Sequence, residues 1–352
     1  MTWKKTQMGI NPTIWMGHAV ANIGCKACVV YLDAGNVKLK KNLLNLGVDL
    51  PIRMGDSPSE SKVAARIMSP AERAARRLER REKQRAVNVT RALQMHTSRL
   101  SLVAPPKQLN PESDYHVGCS GWFYWHWRES FYPDQLPTKA WFPHYAEHFS
   151  TVELNAPFYS WPTVKTVQDW LRQAGNGDFV YTVKVSELIT HIKRFRRTKT
   201  LVQDFGLIAD LLGERMGCFL FQLPPSYHYT PSRLKAIQSQ LDPSRRNVVE
   251  FRHKSWWNER VYGAFRSTGT IFCSRSVPKL PDELVHTADD VYIRFHGLTK
   301  WYRHDYTDEE LALWVQRVRD CGCKRVWAYF NNDRDANAIR NAKESARQLQ
   351  ET

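Results

Sequence analysis

Charged and polar side chains recur at every second position in five short apolar runs between residues 151 and 296. Residues two apart on a β-strand point to the same face, so each run would separate a polar face from an apolar one. The polar sets are Glu153 and Asn155; Thr182, Lys184 and Ser186; Gln222; Glu250 and Arg252; and Arg294 and His296. Carboxylates, imidazoles and cations gathered on such faces could transfer protons and bind an anion.

The groups suited to proton transfer are Glu153, Glu250, His296 and His253. The same two glutamates also permit a different chemistry, since a pair of carboxylates is what a glycoside hydrolase uses. Trp122, with the tryptophans that follow it in GWFYWHW, would then supply stacking surfaces for a sugar. The residues permit both proton transfer on an anionic substrate and glycoside hydrolysis, although a neutral sugar does not need the cations that surround the glutamates.

Cations accumulate near these carboxylates in the sequence. Lys184, Arg252, Arg275 and Arg294 lie in the predicted strands, and the segment HIKRFRRTK (191–199) adds five more cations around a single phenylalanine. Arginine and lysine in this density suit a phosphate group or another anion. For the 191–199 segment alone, a solvated run of charge explains the composition equally well.

Eight apolar runs alternate with helical patterns after residue 114, which predicts a closed (β/α)8 TIM barrel in the α/β class. The runs begin at Tyr115, Thr151, Phe179, Cys218, Asn247, Thr270, Val291 and Arg325. A doubly wound open sheet is the alternative, but no glycine-rich nucleotide fingerprint follows an early run. Barrel enzymes hold their reacting groups at the carboxyl ends of the strands, which is where the polar faces would meet.

The segments GCSGWFYWHW, FSTVELNAPFY, THIKR, FLFQLPPSY, VEFRHKSWW, VYIRFHG and YFNND occur in the order found in the YecE-like family, domain of unknown function 72. The chain resembles that family over about residues 116–349. The resemblance implies a TIM barrel and no known reaction. Together with the proton-transfer candidates, it implies a set of substrate-binding positions: Trp122, Asn155, Tyr159, Lys184, His191, Gln222, Arg252, Arg294, Asn331, Asn332 and Asp333.

The sixth run, FCSRS, departs from the family because Ser274 and Arg275 stand where an Asp is usual. The change removes a carboxylate from any metal or acid-base set and adds a cation. A divalent metal remains an open prediction with an unknown ligand set; the available donors are Glu153, Glu250, His253, His296 and Asp333.

The first third of the chain carries most of the net charge of +16. Residues 1–67 show no sustained period and are predicted to have low order, and Cys25 and Cys28 have the spacing of half a zinc site without a second pair. At residues 68–113, Ser69, Pro70 and Glu72 predict the start of a basic helix that ends in a proline-containing linker. We expect either a solvated arm or a helix that rests on nucleic-acid phosphates. The barrel domain would occupy 114–352.

The amino-terminal segment is a poor export signal because His18, Asn22 and Lys26 interrupt its apolar stretch. Seven cysteines, an odd number, fit a reducing compartment. We therefore expect a soluble cytoplasmic protein without a membrane partner, whose oligomeric state the sequence does not indicate. The expected function is an enzyme, a hydrolase or lyase, acting on a phosphate-containing small molecule or nucleic acid. A non-catalytic nucleic-acid-binding protein and a glycoside hydrolase are the alternatives.

Overall fold

The computed structural model describes residues 69–102, 115–175 and 177–351 in full, together with the backbone of three short strands near the amino terminus. These strands, β1 (Thr13–Trp15), β2 (His18–Asn22) and β3 (Val29–Asp33), form an antiparallel sheet that the sequence did not predict. Cys25, Cys28 and the linker prediction at 103–113 lie outside the described residues. The chain divides into two compact units, Met1–Ser69 and Pro70–Thr352.

The second unit contains eight parallel strands closed into a barrel, which confirms the predicted fold. The strands are β4 (Tyr115–Cys119), β5 (Thr151–Leu154), β6 (Val180–Lys184), β7 (Met216–Gln222), β8 (Asn247–Glu250), β9 (Ile271–Ser276), β10 (Asp290–Phe295) and β11 (Arg325–Phe330). They follow chain order around the barrel, and β11 closes the ring by pairing with β4.

One helix precedes the barrel strands in the described part of the chain, and others connect or follow them. They are α1 (Pro70–Leu100), α2 (Trp141–Ala146), α3 (Ala156–Tyr159), α4 (Val164–Ala174), α5 (Lys199–Leu212), α6 (Pro231–Gln240), α7 (Glu259–Arg266), α8 (Asp308–Cys321) and α9 (Asn337–Gln350). Side-chain caps begin several of them; in α8, for example, Thr307 and Glu310 form a capping box. No helix in the described part of the chain has the length and hydropathy needed to cross a membrane.

Two layers of side chains fill the barrel interior. The layer toward the amino ends of the strands is apolar and aromatic, and Leu220, Tyr292 and Trp327 belong to its buried cluster. The layer toward the carboxyl ends is charged, because Glu153, Glu250 and Arg294 follow on the same faces of their strands and are also buried. The alternation read from the sequence therefore assigns these three side chains to the correct face.

Helix α1 packs against the barrel, in contrast to the free arm that its arginine content suggests. Asn88, Ala92 and Met95 are buried on one side of this helix. The Asn88 side chain donates to the carbonyl of Tyr159 at 2.9 Å and accepts from the amide of Trp161 at 3.0 Å. These contacts fix α1 beside the loop that follows β5, at the carboxyl ends of the strands.

Candidate functional site

Arg294 joins the two candidate catalytic glutamates at the centre of the barrel mouth. Its Nη2 donates to Glu153 Oε1 at 2.6 Å and its Nη1 to Glu250 Oε2 at 2.5 Å. The side chains of all three residues are at most 1% exposed. Each glutamate ends or nearly ends its strand, so the parallel arrangement brings three distant sequence positions into one buried ion network.

Glu153 receives further hydrogen bonds from two residues that were not among the sequence candidates. Ser120 Oγ donates to Glu153 Oε1 at 2.8 Å, and the Tyr292 hydroxyl donates to Oε2 at 2.6 Å. The predicted site residue Asn155 also donates to Oε1, at 3.3 Å. With this many donors, both carboxylate oxygens of Glu153 are engaged.

Glu250 lies among three guanidinium groups. Arg252 Nε donates to its Oε1 at 2.9 Å, and Arg275 Nε lies 3.4 Å from the same oxygen. Burial by itself would raise the pKa of Glu250, but the charges of Arg275, Arg294 and Arg252 outweigh burial and hold that pKa well below its usual value. Glu250 is therefore an ionised acceptor at neutral pH and a poor proton donor.

Several guanidinium nitrogens in this network have no hydrogen-bond partner among the described residues. Arg275 donates from Nη1 to the carbonyl of Phe251 at 3.1 Å, whereas its Nε and Nη2 make no hydrogen bond. Nε of Arg294 is likewise buried without an acceptor. Arg252 reaches the predicted site residue Gln222, whose Oε1 accepts its Nη2 at 3.0 Å. Cations outnumber carboxylates here, so the mouth retains buried positive charge with free donors.

Lys184 is the last residue of β6 and is 7% exposed. Its ammonium lies 4.3 Å from the centre of the Phe158 ring and has no hydrogen-bond acceptor in the described part of the chain. Burial lowers the pKa of Lys184 to about 7, and the nearby charge of Arg294 acts in the same direction. A large fraction of this amine is therefore neutral near physiological pH.

Two predicted histidines line the same mouth. His191 lies in a π-helical turn after β6, packs edge-on against Phe158, and has its pKa lowered to about 4 by burial and by the charge of Lys184. His296 is fully buried, and burial and the charge of Arg294 hold its pKa well below the usual value. Its Nε2 has no partner among the described residues. Both imidazoles are neutral at pH 7.

Trp301 covers part of this cluster and was not predicted. Its ring lies 5.8 Å from the Arg252 guanidinium, 5.4 Å from that of Arg275 and 5.6 Å from the His296 ring. The loop can fold back because Gly297 adopts a φ of +111°, and a Cβ there would overlap the carbonyl of Lys300. Trp301 is 38% exposed and forms a rim above the arginines.

Three predicted residues after β11 serve the neighbouring loops. The Asn332 side chain donates to the carbonyl of His304 at 2.8 Å, and the backbone carbonyl of Asp333 accepts from His126 at 2.8 Å. Burial raises the pKa of the Asp333 carboxyl. Asn331 is held through its backbone, which donates to Phe295. None of these hydrogen bonds reaches Glu153 or Glu250.

The remaining candidates lie around the mouth. His253 caps a short helical turn, with Nδ1 2.8 Å from Ser255 Oγ, and its ring stacks on His228. Trp122 packs edge-on against Phe142 of α2. Tyr159 is 50% exposed under the Arg81 guanidinium of α1. The structure does not bring His253 into contact with the paired glutamates.

The proposed metal donors do not converge. No group of three or more His, Cys, Asp or Glu side chains in the described residues has the geometry to hold an ion. Glu153 and Glu250 direct their oxygens to Arg294, and Asp333 and His253 face other loops. The donors in the described part of the chain therefore do not form a divalent-cation site.

The alternation along the strands could have identified two of the site residues that the sequence analysis did not select. Tyr292 lies two positions before Arg294 on β10, and Ser120 lies two positions after Gly118 at the end of β4. The same period of two that selected Glu153 would have placed both on the interior face. Trp301 carried no such signal, since its position depends on how the loop after β10 folds.

Eight parallel strands with polar side chains converging at their carboxyl ends define a TIM-barrel protein whose candidate site is the barrel mouth. The chain belongs to the DUF72 family, whose description is "protein of unknown function": the profile of this family matches residues 116–352.

The UPF0759 protein YunF of Bacillus subtilis (strain 168) is 24% identical over 265 residues, which span 65% of this chain and 92% of YunF. YecE of Escherichia coli (strain K12) is 28% identical over 202 residues, 49% of this chain and 72% of YecE. Among solved structures, a DUF72 protein of Thermotoga maritima superposes with a TM-score of 0.61 at 27% identity, covering 68% of this chain and all (100%) of that one. None of these names states a reaction.

Proposed function

We propose that this protein is an enzyme that binds a phosphate-containing substrate at the barrel mouth. The observation that carries the proposal is the pair of buried guanidinium nitrogens, Arg275 Nη2 and Arg294 Nε, that have no hydrogen-bond acceptor among the described residues. A buried donor without an acceptor costs about 1–3 kcal/mol, more for a charged group, so such donors in a native site favour an external anion as their acceptor. Arginine matches the oxygens of a phosphate group.

The neighbouring groups support chemistry as well as binding. Lys184 and His296 are buried and are neutral or partly neutral near pH 7. The ammonium of Lys184 and the Nε2 of His296 have no hydrogen-bond partner among the described residues. Groups that exchange protons near the working pH are the most effective acid-base catalysts. We assign the proton-transfer role to Lys184 in preference to Glu250, which its arginine neighbours keep ionised.

The glycoside hydrolase alternative receives less support. Its general acid would have to hold a proton at neutral pH, which requires a raised pKa. The pKa of Glu250 is instead lowered, and Arg294 lies between the two carboxylates where a glycosidic bond would have to enter.

A nucleic-acid-binding role rests on a different surface. Arg73, Arg76, Arg77 and Arg80 are all exposed on α1, and the 191–199 loop presents further cations while its Phe195 is buried. Such a surface would contact a phosphate backbone, and its binding would weaken as salt rises. Free thiols at Cys119, Cys218 and Cys273 fit a reducing, cytoplasmic location.

Calorimetric titration tests the main proposal, with inorganic phosphate and single- and double-stranded oligonucleotides as probes for the full chain. We expect phosphate to bind, and Arg275→Met to weaken it by about tenfold to a hundredfold, the loss expected for a charged hydrogen bond. Replacement of Arg73, Arg76, Arg77 and Arg80 by alanine is the matched control and should leave phosphate binding unchanged.

Absence of phosphate binding at low salt, together with binding of a neutral oligosaccharide, would overturn the proposal. If oligonucleotides bind and only the four-alanine variant loses them, nucleic-acid binding by α1 replaces a mouth-centred function. The slope of affinity against salt then counts the phosphate contacts, at roughly 0.7 to 0.9 per contact.

A further inference from the structure

Lys184 differs from the other cations of the barrel mouth because it forms no direct ion pair with a carboxylate in the described part of the chain. Glu153 and Glu250 are occupied by Arg294 and by their other donors. The lysine instead ends on the face of Phe158, at 4.3 Å from the ring centre. A lysine retained for charge balance would be paired, since a buried charge without a partner is costly.

The surroundings of Lys184 are those that convert a lysine into a nucleophile. An amine becomes reactive when it is desolvated beside an apolar group or next to other cations, because both conditions favour its neutral form. Phe158 supplies the apolar contact, and Arg294 and Arg252 supply the neighbouring charge. As the last residue of β6, Lys184 also stands at the strand end where barrel enzymes carry out their chemistry.

We propose that Lys184 forms an imine with the carbonyl carbon of a phosphorylated aldehyde or ketone. This inference rests on the proposed function, since the arginines would bind the phosphate of the same substrate. The Nζ lone pair attacks the carbonyl carbon, a C–N bond forms, and the carbonyl oxygen becomes a hydroxyl. The C–O bond then breaks, and the oxygen leaves as water with both protons of the amine. The imine nitrogen takes up a proton from solvent to give the protonated imine. No oxidant or reductant takes part.

Neighbouring residues favour this step in distinct ways. His191 packs on the same Phe158 ring and is neutral, so it places no positive charge next to the protonated imine on Lys184. The ionised Glu250 and the carboxylate of Glu153 lie close enough to act on the lysine and would stabilise the protonated imine. Trp301 covers the arginines on the solvent side.

The test is reductive trapping in the full-length protein. D-glyceraldehyde 3-phosphate is added, sodium borohydride reduces any imine to a stable secondary amine, and peptide mass spectrometry locates the adduct. Lys193, which is exposed on the rim, is the internal control. An ordinary lysine is neutral in fewer than about one molecule in a thousand at pH 7, so we expect labelling of Lys184 to exceed that of Lys193 by at least about a hundredfold.

The pH dependence provides a second readout. The labelling rate at Lys184 should rise with a midpoint near its pKa of about 7. The groups that face this lysine are His191, Glu153, Glu250, Arg252 and Arg294. The pKa of His191 is about 4 and that of Glu250 is lower than usual, so neither should change charge between pH 6 and about 8.

Two variants separate imine formation from folding. Lys184→Arg keeps the positive charge but removes the nucleophile, and should abolish the adduct while Lys193→Arg leaves it intact. If Lys184→Arg does not fold, the comparison of Lys184 with Lys193 in the wild-type protein decides the matter alone. Equal labelling of these two lysines would overturn the proposal.

Unphosphorylated D-glyceraldehyde distinguishes this inference from the proposed function. Preference for the phosphorylated aldehyde, lost on addition of inorganic phosphate, supports both. Phosphate binding without labelling of Lys184 overturns the imine alone. Labelling by both aldehydes to the same extent, without phosphate binding, retains the imine and overturns the phosphate site.

Discussion

The two ends of the barrel both contain arginines paired with buried carboxylates, yet they differ in charge balance. At the amino ends of the strands, Asp290 accepts from Arg325 and Trp327 at 3.0 Å, and Arg246 lies 3.4 Å away. Arg245 forms ion pairs nearby with Asp210 and Asp242. Carboxylates and arginines are therefore equal in number in this lower cluster, defined as Asp210, Asp242, Asp290, Arg245, Arg246 and Arg325.

At the mouth, by contrast, Lys184, Arg252, Arg275 and Arg294 surround only Glu153 and Glu250. Two of the mouth arginines are also more deeply buried than those of the lower cluster: the Arg275 and Arg294 side chains are at most 1% exposed, whereas those of Arg246 and Arg325 are 15% and 17% exposed. A balanced ion network serves stability, but a buried surplus of one sign calls for a ligand. The comparison thus separates a structural cluster from a candidate site, although both contain arginines and carboxylates.

The largest expected effect is on stability at the mouth. Glu250→Gln would leave three guanidinium groups with one carboxylate among them, and should reduce the free energy of unfolding by about 3–5 kcal/mol. Asp290→Asn in the lower cluster should cost less, about 1–3 kcal/mol, because water reaches its arginines. Denaturant unfolding measures both variants. An equal or greater loss for Asp290→Asn would remove the distinction based on burial.

Glu250 also predicts how acid affects the protein. Its folded-state pKa is lower than its unfolded one, so its contribution to stability is complete above the unfolded pKa and is lost as the pH falls through the folded value. Glu250→Gln should therefore flatten the loss of stability below about pH 4, the ordinary glutamate pKa. Unfolding curves at several pH values test this, and an unchanged acid profile would contradict it.

A second effect concerns Lys184, for which the sign is reversed. Its pKa of about 7 in the folded state lies below the unfolded value, so the buried ammonium destabilises the protein at low pH and this cost disappears as the pH rises from 7 toward the unfolded pKa. Lys184→Met should thus stabilise the protein at pH 6, by up to about 1.4 kcal/mol for each unit of pKa shift. A variant less stable than the wild type at pH 6 would show that the lysine has a structural partner.

The next prediction compares one arginine at the mouth with one arginine in the lower cluster. Arg275→Met removes the longest of the three ion pairs of Glu250, which keeps Arg252 and Arg294, so stability should stay within about 1 kcal/mol of the wild type while phosphate binding falls. Arg325→Met removes a partner of a buried carboxylate, and should cost about 1–2 kcal/mol without an effect on phosphate. Thermal unfolding and calorimetry on the two variants decide it. Loss of phosphate binding in Arg325→Met alone would move the candidate site to the lower cluster.

The smallest effect is expected at the edge of the mouth, where α1 meets the turn that carries His191. Arg81 Nη2 donates to Glu187 Oε2 at 2.5 Å and Arg85 Nε to Oε1 at 3.3 Å. Both arginine side chains are about two-fifths exposed, at 43% and 40%. Arg81→Met should therefore cost only about 0.5–1 kcal/mol in unfolding experiments, because solvent screens the pair. A loss of several kcal/mol would show that solvent does not screen the ion pair between Arg81 and Glu187.

Much of the barrel was predictable because each strand is encoded locally. An apolar run with polar residues at alternate positions specifies both a strand and the face it turns inward, and this placed Glu153, Glu250 and Arg294 together correctly. The sequence was less informative about α1. Its arginines suggested a solvated surface, but the packing of the helix depended on Asn88, whose partners Tyr159 and Trp161 lie 71 and 73 residues away in the chain.

The sequence by itself determined the strand order, the composition of the interior faces and the excess of cations over carboxylates. Only the tertiary structure decided which charges neutralise each other, because pairing depends on the stagger of neighbouring strands and on loop conformation. Arg294 could have paired with either glutamate; the closed barrel places it between both. It thereby leaves Lys184 without a carboxylate and Arg275 with free donors. His253 and Asp333, equally suitable in sequence, were directed to other loops.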